Sequence, residues 1–89
     1  MDNENLVEFC KLISDIIHGL FDSEEDQCDV NYVHGDRDVT FVVKPTSREA
    51  AALIIGKKGR IIHRIESVVA VYGEIRGGLW RVVVEQPDF

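Results

Sequence analysis

The sequence predicts a single α+β domain in which helices cover one face of a three-stranded sheet. The chain has 89 residues, about the length of one domain, which excludes a large multidomain enzyme. Its 45% hydrophobic and 29% charged residues are typical of a globular domain and not of a disordered tail. Helical and strand periodicities follow one another along the chain in the order αββααβ. We therefore expect residues 1–89 to form one folded domain.

The first element is an amphipathic helix over residues 6–21. Its apolar residues recur at three- and four-residue intervals, at Leu6, Phe9, Cys10, Ile13, Ile16, Ile17, Leu20 and Phe21. Asn5 followed by Glu8 resembles a capping box at the start of this helix. The acidic run 22–26 ends the pattern, and we interpret it as a solvated loop; repulsion of nucleic acid or binding of a basic partner are the alternatives.

Two strands and a turn follow. Residues 28–34 and 39–44 alternate between apolar and polar side chains, and Gly35 and Asp36 between them predict a β-hairpin. Pro45 is expected to interrupt the second strand, because proline has no backbone N–H to donate.

The rest of the chain predicts two helices and a last strand. Thr46 with Glu49 resembles a capping box that opens a short helix, which Gly56 ends. Residues 60–72 keep the helical period, with Gly73 as the expected C-terminal cap. Residues 79–85 alternate again, which predicts a half-buried strand with Trp80 on its apolar face.

The charge is distributed unevenly along the chain. The formal net charge is −6, which by itself argues against a nucleic-acid partner. Residues 1–38 hold 11 acids and 2 bases, whereas residues 39–64 hold 6 bases and 1 acid. The basic charge is thus concentrated in residues 39–64, which include the connection between the two later helices.

That segment contains the sequence Gly56-Lys57-Lys58-Gly59. Glycines at both ends of a tight turn let the backbone approach a sugar-phosphate chain, while the two lysines project outward. The turn also lies at the start of a helix, where free N–H groups and the positive end of the dipole favour an anion. We therefore expect it to bind phosphate.

The surrounding residues resemble the KH (K-homology) domain, whose signature is an aliphatic pair, a GxxG loop and further aliphatic residues three and six positions beyond it. Ile54 and Ile55, the loop 56–59, Ile62 and Ile65 match this signature. The order of elements resembles the type II, prokaryotic arrangement, and the chain is similar to stand-alone bacterial KH proteins of the KhpA type. This resemblance covers nearly the whole chain.

The resemblance implies binding of single-stranded RNA by a cytoplasmic bacterial RNA chaperone or post-transcriptional regulator. It assigns the backbone clamp to Gly56, Lys57, Lys58 and Gly59, with further phosphate contacts from Arg60 and Arg64. Ile54, Ile55 and Ile62 are expected to supply apolar surface beneath the bases. It also implies pairing with a second copy or with another KH-containing protein, so an assembly module with weak or no RNA binding is the alternative function.

Other site chemistries have little support in the sequence. His18, His34, His63, Cys10 and Cys28 match no zinc-ligand spacing, so no metal or other cofactor is expected, and both cysteines are interpreted as small core residues. No nucleophile stands beside a base in a recognisable motif, which predicts a non-enzyme with no small-molecule substrate. The acidic start is unlike a secretory signal, and no apolar run is long enough to span a membrane, so the cytosol is the expected compartment.

Overall fold

The computed structural model describes residues 3–21 and 28–85. Within them the chain forms three α-helices, a short 3₁₀ turn and a three-stranded sheet, which confirms the α+β class. The helices are α1 (Asn3–Phe21), α2 (Arg48–Ile55) and α3 (Arg60–Ile75), and the 3₁₀ turn spans Lys57–Gly59. The strands are β1 (Cys28–His34), β2 (Asp38–Pro45) and β3 (Leu79–Val84). The acidic run 22–26 lies outside the described residues.

The sheet is mixed, with β2 in the centre. The predicted hairpin is confirmed, since β1 pairs antiparallel with β2 from Cys28↔Pro45 to His34↔Val39. β3 pairs parallel with the other side of β2, in the register Val39↔Trp80 and Phe41↔Val82. The parallel pair requires a crossover, and α2, the 3₁₀ turn and α3 form that crossover. The loop 56–59 is therefore carried on the connection between two adjacent strands.

The helices and one face of the sheet share a single core. On β2 the buried side chains alternate, as the period of a strand requires, and Phe41 at the centre is fully buried. Phe9 of α1 contacts Phe41 and Trp80, with ring centroids 5.3 and 5.1 Å apart. Trp80 is only 2% exposed, so its predicted place in the core is confirmed. The alternate residues, including Val33 and Val83, leave the opposite face of the sheet exposed.

Three local predictions at element ends are wrong. α1 is already helical at Asn3, so Asn5 lies inside it and does not cap it. The N-cap of α2 is Ser47 and not Thr46: the Ser47 hydroxyl accepts a hydrogen bond from the Ala50 N–H at 3.0 Å. Pro45 does not interrupt β2 but pairs with Cys28 as its last residue. The pairing of β2 with β3 stops at Val43, so the missing N–H of Pro45 removes no bond to β3.

Gly73 is not the cap of α3. The helix continues to Ile75, and the residue in the left-handed conformation is Gly77, with φ of +75°. The Gly77 N–H donates to the Glu74 carbonyl and the Gly78 N–H donates to the Gly73 carbonyl, which is the Schellman pattern. The C-terminal cap thus lies four residues beyond the glycine that the sequence pattern indicated.

Gly73 instead lets α3 pack directly on β3. It is buried, and a Cβ at this position would lie 2.6 Å from Trp80 Cγ and 2.7 Å from Trp80 Cβ. Real carbon atoms do not approach so closely, so any larger residue must displace the indole or the helix. Arg76 covers the outer side of the same indole, with its guanidinium carbon 5.4 Å from the ring centroid. This contact fixes the distance between α3 and the sheet.

Replacing Gly73 by alanine should destabilise the protein although alanine favours helices. We expect the overpacking against Trp80 to outweigh the gain in helix propensity, for a net loss of about 1 to 3 kcal/mol in the free energy of unfolding. The matched control is Gly19→Ala in α1, where no atom lies within 4 Å of the added Cβ. The control should stabilise the fold by about 0.5 to 1 kcal/mol. Urea unfolding of both variants tests this, and equal effects would contradict the assigned contact.

Candidate functional site

The loop between α2 and α3 is closed by backbone hydrogen bonds. The Gly56 N–H donates to the Ala52 carbonyl at 2.9 Å and ends α2. The Gly59 N–H then donates to the Gly56 carbonyl at 3.1 Å, which forms the 3₁₀ turn. Lys58 and Gly59 both have left-handed backbones, with φ of +58° and +72°. Two successive left-handed residues reverse the chain within four positions and start α3 immediately afterwards.

Gly56 is required at its position for two reasons. Its φ of +77° and ψ of 175° lie in a region that is essentially restricted to glycine. A Cβ at Gly56 would also lie 2.7 Å from Ile61 Cγ1 and 2.9 Å from Ile61 Cδ1. Gly59 is different, because nothing lies within 4 Å of its Cβ position and only its positive φ favours glycine. The loop therefore depends on Gly56 for packing and on Gly59 for its turn.

The N-terminus of α3 is open. The Arg60 N–H donates to the Lys57 carbonyl, but the N-cap, Gly59, has no side chain to cap the following N–H groups, and the first turn holds no acidic residue. Unpaired N–H groups at this end of a helix carry a partial positive charge. Lys57, Lys58 and Arg60 are exposed around it, and no carboxylate among the described residues forms an ion pair with them. The arrangement is a locally positive surface that can bind an anion.

The structure divides the predicted apolar residues into two groups. Ile54 is 0% exposed and belongs to the core, so the prediction that it supplies surface beneath bases is wrong. Together with Ala50 and Ala51 it forms the buried side of α2. Ile55 and Ile62 are half-buried and flank the loop. The sequence reasoning missed Leu53, which is 52% exposed on the last turn of α2.

Arg64 belongs to a second feature, a groove between α1 and α3. The groove has a volume of about 440 Å³. Arg64 is its only charged lining residue in the described chain; the others are Phe9, Leu12, Ile13, Ile16, Leu20, Ile61, Ile65, Val68, Val69 and Tyr72. Leu12 and Ile16 are each 42% exposed, and Leu20 and Val68 are each 53% exposed. We refer to this feature as the α1–α3 groove.

The width of the apolar pattern on α1 could have indicated the α1–α3 groove. Leu6, Phe9, Ile13 and Ile17 already fill the face that packs on the sheet. The three- and four-residue spacing predicts Ile16 and Leu20 on that same face and does not include Leu12. An apolar stripe wider than one contact face indicates a second contact surface.

The remaining candidate residues are placed apart from the loop or in the core. Cys10 and Cys28 are buried and form no disulfide, which confirms them as core residues, and burial raises the pKa of Cys10. His63 is exposed on α3 with its Nδ1 3.9 Å from Glu66 Oε2. Among the described residues, no three histidine, cysteine or acidic side chains come together as metal ligands. Nor does any helix in residues 3–21 or 28–85 have the length and apolar character needed to cross a bilayer.

Comparison with protein-family models and with curated proteins found no match to this chain.

Alanine substitution should distinguish the two loop glycines. Gly56→Ala combines a glycine-only backbone with overlap on Ile61, and we expect it to lower the free energy of unfolding by more than about 2 kcal/mol. Gly59→Ala places alanine in a left-handed conformation without any overlap, so we expect it to lower the free energy of unfolding by about 1 to 2 kcal/mol. Chemical denaturation measures both. A larger loss for Gly59→Ala than for Gly56→Ala would contradict the packing described here.

Proposed function

We propose that this chain binds single-stranded RNA by clamping its phosphodiester backbone with the loop 56–59. The observation that carries the proposal is the open N-terminus of α3, which is reached through two glycines and surrounded by Lys57, Lys58 and Arg60. No carboxylate in residues 3–21 or 28–85 forms an ion pair with these three side chains. The KH-like signature around the loop supports the same conclusion, and so do the element order and the mixed sheet, which fit a type II KH fold.

The proposed contact uses charge and backbone together. A phosphate at the start of α3 would accept hydrogen bonds from the first free N–H groups of the helix. The absent Cβ atoms at Gly56 and Gly59 allow the sugar-phosphate chain to approach the backbone. Lys57, Lys58 and Arg60 then add charge attraction, which makes binding dependent on salt concentration.

The preference for single strands follows from the neighbouring apolar surface. Exposed Leu53 and half-buried Ile55 and Ile62 adjoin the loop in sequence and offer apolar contact to unpaired bases. Bases in a duplex are stacked and paired, so they cannot reach such a surface. The activity fits a bacterial, cytoplasmic RNA chaperone or post-transcriptional regulator that needs no cofactor and carries out no catalysis.

The acidic net charge is compatible with this function because the charges are separated along the chain. Residues 57–64 contain four bases and no acid. Exposed charges separated by more than a Debye length, about 8 Å at cellular salt, are largely screened from one another. The contacts at the loop therefore dominate, and distant carboxylates reduce affinity mainly at low salt.

Reversing the two loop charges should abolish RNA binding without unfolding the protein. In Lys57→Asp/Lys58→Asp, two carboxylates replace the cations around the phosphate, and we expect affinity for an unstructured RNA to fall by at least about 100-fold. The matched control, Lys11→Asp/Arg37→Asp, makes the same change in net charge on exposed residues of α1 and the β1–β2 turn. Fluorescence anisotropy measures both variants, and circular dichroism confirms their folding.

The control should retain affinity within about threefold of wild type, since screened charges contribute little. Equal losses in the two double variants would show that RNA responds only to net charge and would contradict a clamp at the loop. Tighter binding to the same sequence in a duplex would contradict the preference for single strands.

A second candidate function is assembly, and the α1–α3 groove is the observation that favours it. Exposed Leu12, Ile16 and Leu20 on α1 face an apolar wall of α3, which is more contiguous apolar surface than single exposed residues provide. We propose that the occupant is a second copy of this chain. The resemblance to stand-alone KH proteins supports this occupant, because it implies pairing with a second copy. A second KH-containing protein is the other possible occupant.

Sedimentation equilibrium of the wild-type chain tests this assembly. We expect a dimer at tens of micromolar, with dissociation when Ile16 is replaced by lysine, because a charge would be buried in the apolar contact. Val7→Lys is the matched control, since Val7 is 58% exposed on the same helix but does not line the groove. A wild-type monomer at 100 μM, or equal dissociation by both variants, would contradict assembly through the groove.

A further inference from the structure

The α1–α3 groove has the size and the lining of a small-molecule site. Its volume of about 440 Å³ lies within the range of about 300 to 1,000 Å³ that is typical of ligand pockets. Such pockets are lined mainly by apolar side chains, with a few polar groups that orient the ligand. Among the described residues that line the groove, only Arg64 and Tyr72 carry a polar side-chain group. The lining therefore fits a ligand that is apolar over most of its length.

The groove is also long and narrow. Its lining residues run from Ile61 to Tyr72 on α3 and from Phe9 to Leu20 on α1, so each wall is about 16 Å long at a rise of about 1.5 Å per residue. The volume divided by this length gives a mean cross-section of about 27 Å². An α-helix with its side chains is about 10 to 12 Å wide, so a helix can cover this groove but cannot enter it. A single extended hydrocarbon chain fits the cross-section.

Arg64 supplies the one charge on the groove wall in the part of the chain that the structure describes. Its side chain is exposed, and no carboxylate in residues 3–21 or 28–85 forms an ion pair with it. Arg64 follows Ile61 by one helical turn, whereas Tyr72 lies about 12 Å further along α3. Arginine binds a carboxylate through two parallel N–H···O bonds. A cation near one end of an apolar groove complements a ligand with an anionic head and an apolar tail.

The wall beyond Arg64 leaves apolar surface in water. Leu12, Ile16 and Val68 are about half exposed. Phe9 and Tyr72, whose ring centroids are 4.9 Å apart, lie at the far end of the groove from Arg64. Burial of one ligand CH₂ group against such surface strengthens binding by up to about fourfold. The tail therefore supplies most of the affinity, and Arg64 determines which way the ligand lies.

We infer that the α1–α3 groove binds a free fatty-acid anion of medium chain length, with its carboxylate on Arg64 and its acyl chain along Ile16 and Val68. This inference goes beyond the proposed RNA clamp and does not depend on it, because the groove does not include the loop 56–59. It does not require a second copy either, since a helix of that copy covers the groove without filling it.

Isothermal titration calorimetry with dodecanoate tests the inference. We expect one dodecanoate per chain, with a dissociation constant below about 1 mM. Octanoate has the same carboxylate and a chain shorter by four carbons. It should bind at least about tenfold more weakly, because less apolar surface is buried.

Arg64→Glu is compared with Arg81→Glu as its matched control. Both variants make the same change of charge at an exposed arginine, and Arg81 lies on the open face of the sheet beside exposed Val83, which also offers apolar surface. Arg64→Glu replaces an ion pair by repulsion, so we expect it to weaken dodecanoate binding by about tenfold. Arg81→Glu should stay within about twofold of wild type, since distant exposed charges are screened. Circular dichroism confirms that both variants fold.

Equal losses in the two variants would show that dodecanoate responds only to net charge, and a larger loss for Arg81→Glu would place it on the sheet. Either result overturns the inference. Octanoate binding as tight as that of dodecanoate would overturn it as well, because the acyl chain would then contribute nothing. Absence of saturable dodecanoate binding also overturns it, and a dimer in sedimentation of the same sample would then identify a second copy as the occupant.

Discussion

The close contact between Gly73 and Trp80 determines where α3 lies, and the candidate site depends on that position. Trp80 is held in the core by Phe9 and Phe41, with ring centroids 5.1 and 5.4 Å from its own. Because Gly73 has no side chain, α3 packs directly against this fixed indole. At the other end of the same helix, Ile61 packs against Gly56 in an equally close contact. Two positions without a Cβ thus anchor α3 between the sheet and the loop.

This arrangement explains how an acidic protein can present a locally positive surface. The fold places Lys57, Lys58 and Arg60 at the start of α3, where the N-cap Gly59 has no side chain. The partial positive charge of the helix dipole and the charges of the basic side chains act at the same point. Salt screens electrostatic interactions least at such short range. The proposed function therefore depends on local geometry and local charge, and the formal net charge of −6 says little about it.

Periodicity was sufficient to predict the elements, but the contacts between them were not predictable from local pattern. The apolar spacing of residues 6–21 and the alternation of residues 28–34 correspond to α1 and β1. Gly73 was assigned as a cap because glycine commonly ends helices, whereas its place inside α3 depends on Trp80, which follows seven residues later. Ile54 was expected at the site because it adjoins the loop in sequence, but helical periodicity directs it into the core.

The same limits apply to the candidate site. The loop 56–59 was recognisable because glycine spacing and charge are local properties of a sequence. The wide apolar stripe of α1 indicates only that a second contact surface exists. The α1–α3 groove itself depends on how far two helices separated by about 40 residues stand apart after both have packed on the sheet. Arg64 was accordingly grouped with the loop, although it lines the groove.

The most direct test of the central claim is a nuclear magnetic resonance titration of the ¹⁵N-labelled protein with an unstructured RNA of six to eight nucleotides. The account predicts that the largest amide shift changes occur at Lys57, Lys58 and Gly59 and in the first turn of α3, and that they diminish as salt is raised. Shift changes confined to the open face of the sheet, around Val33 and Arg81, with the loop amides unmoved, would contradict it.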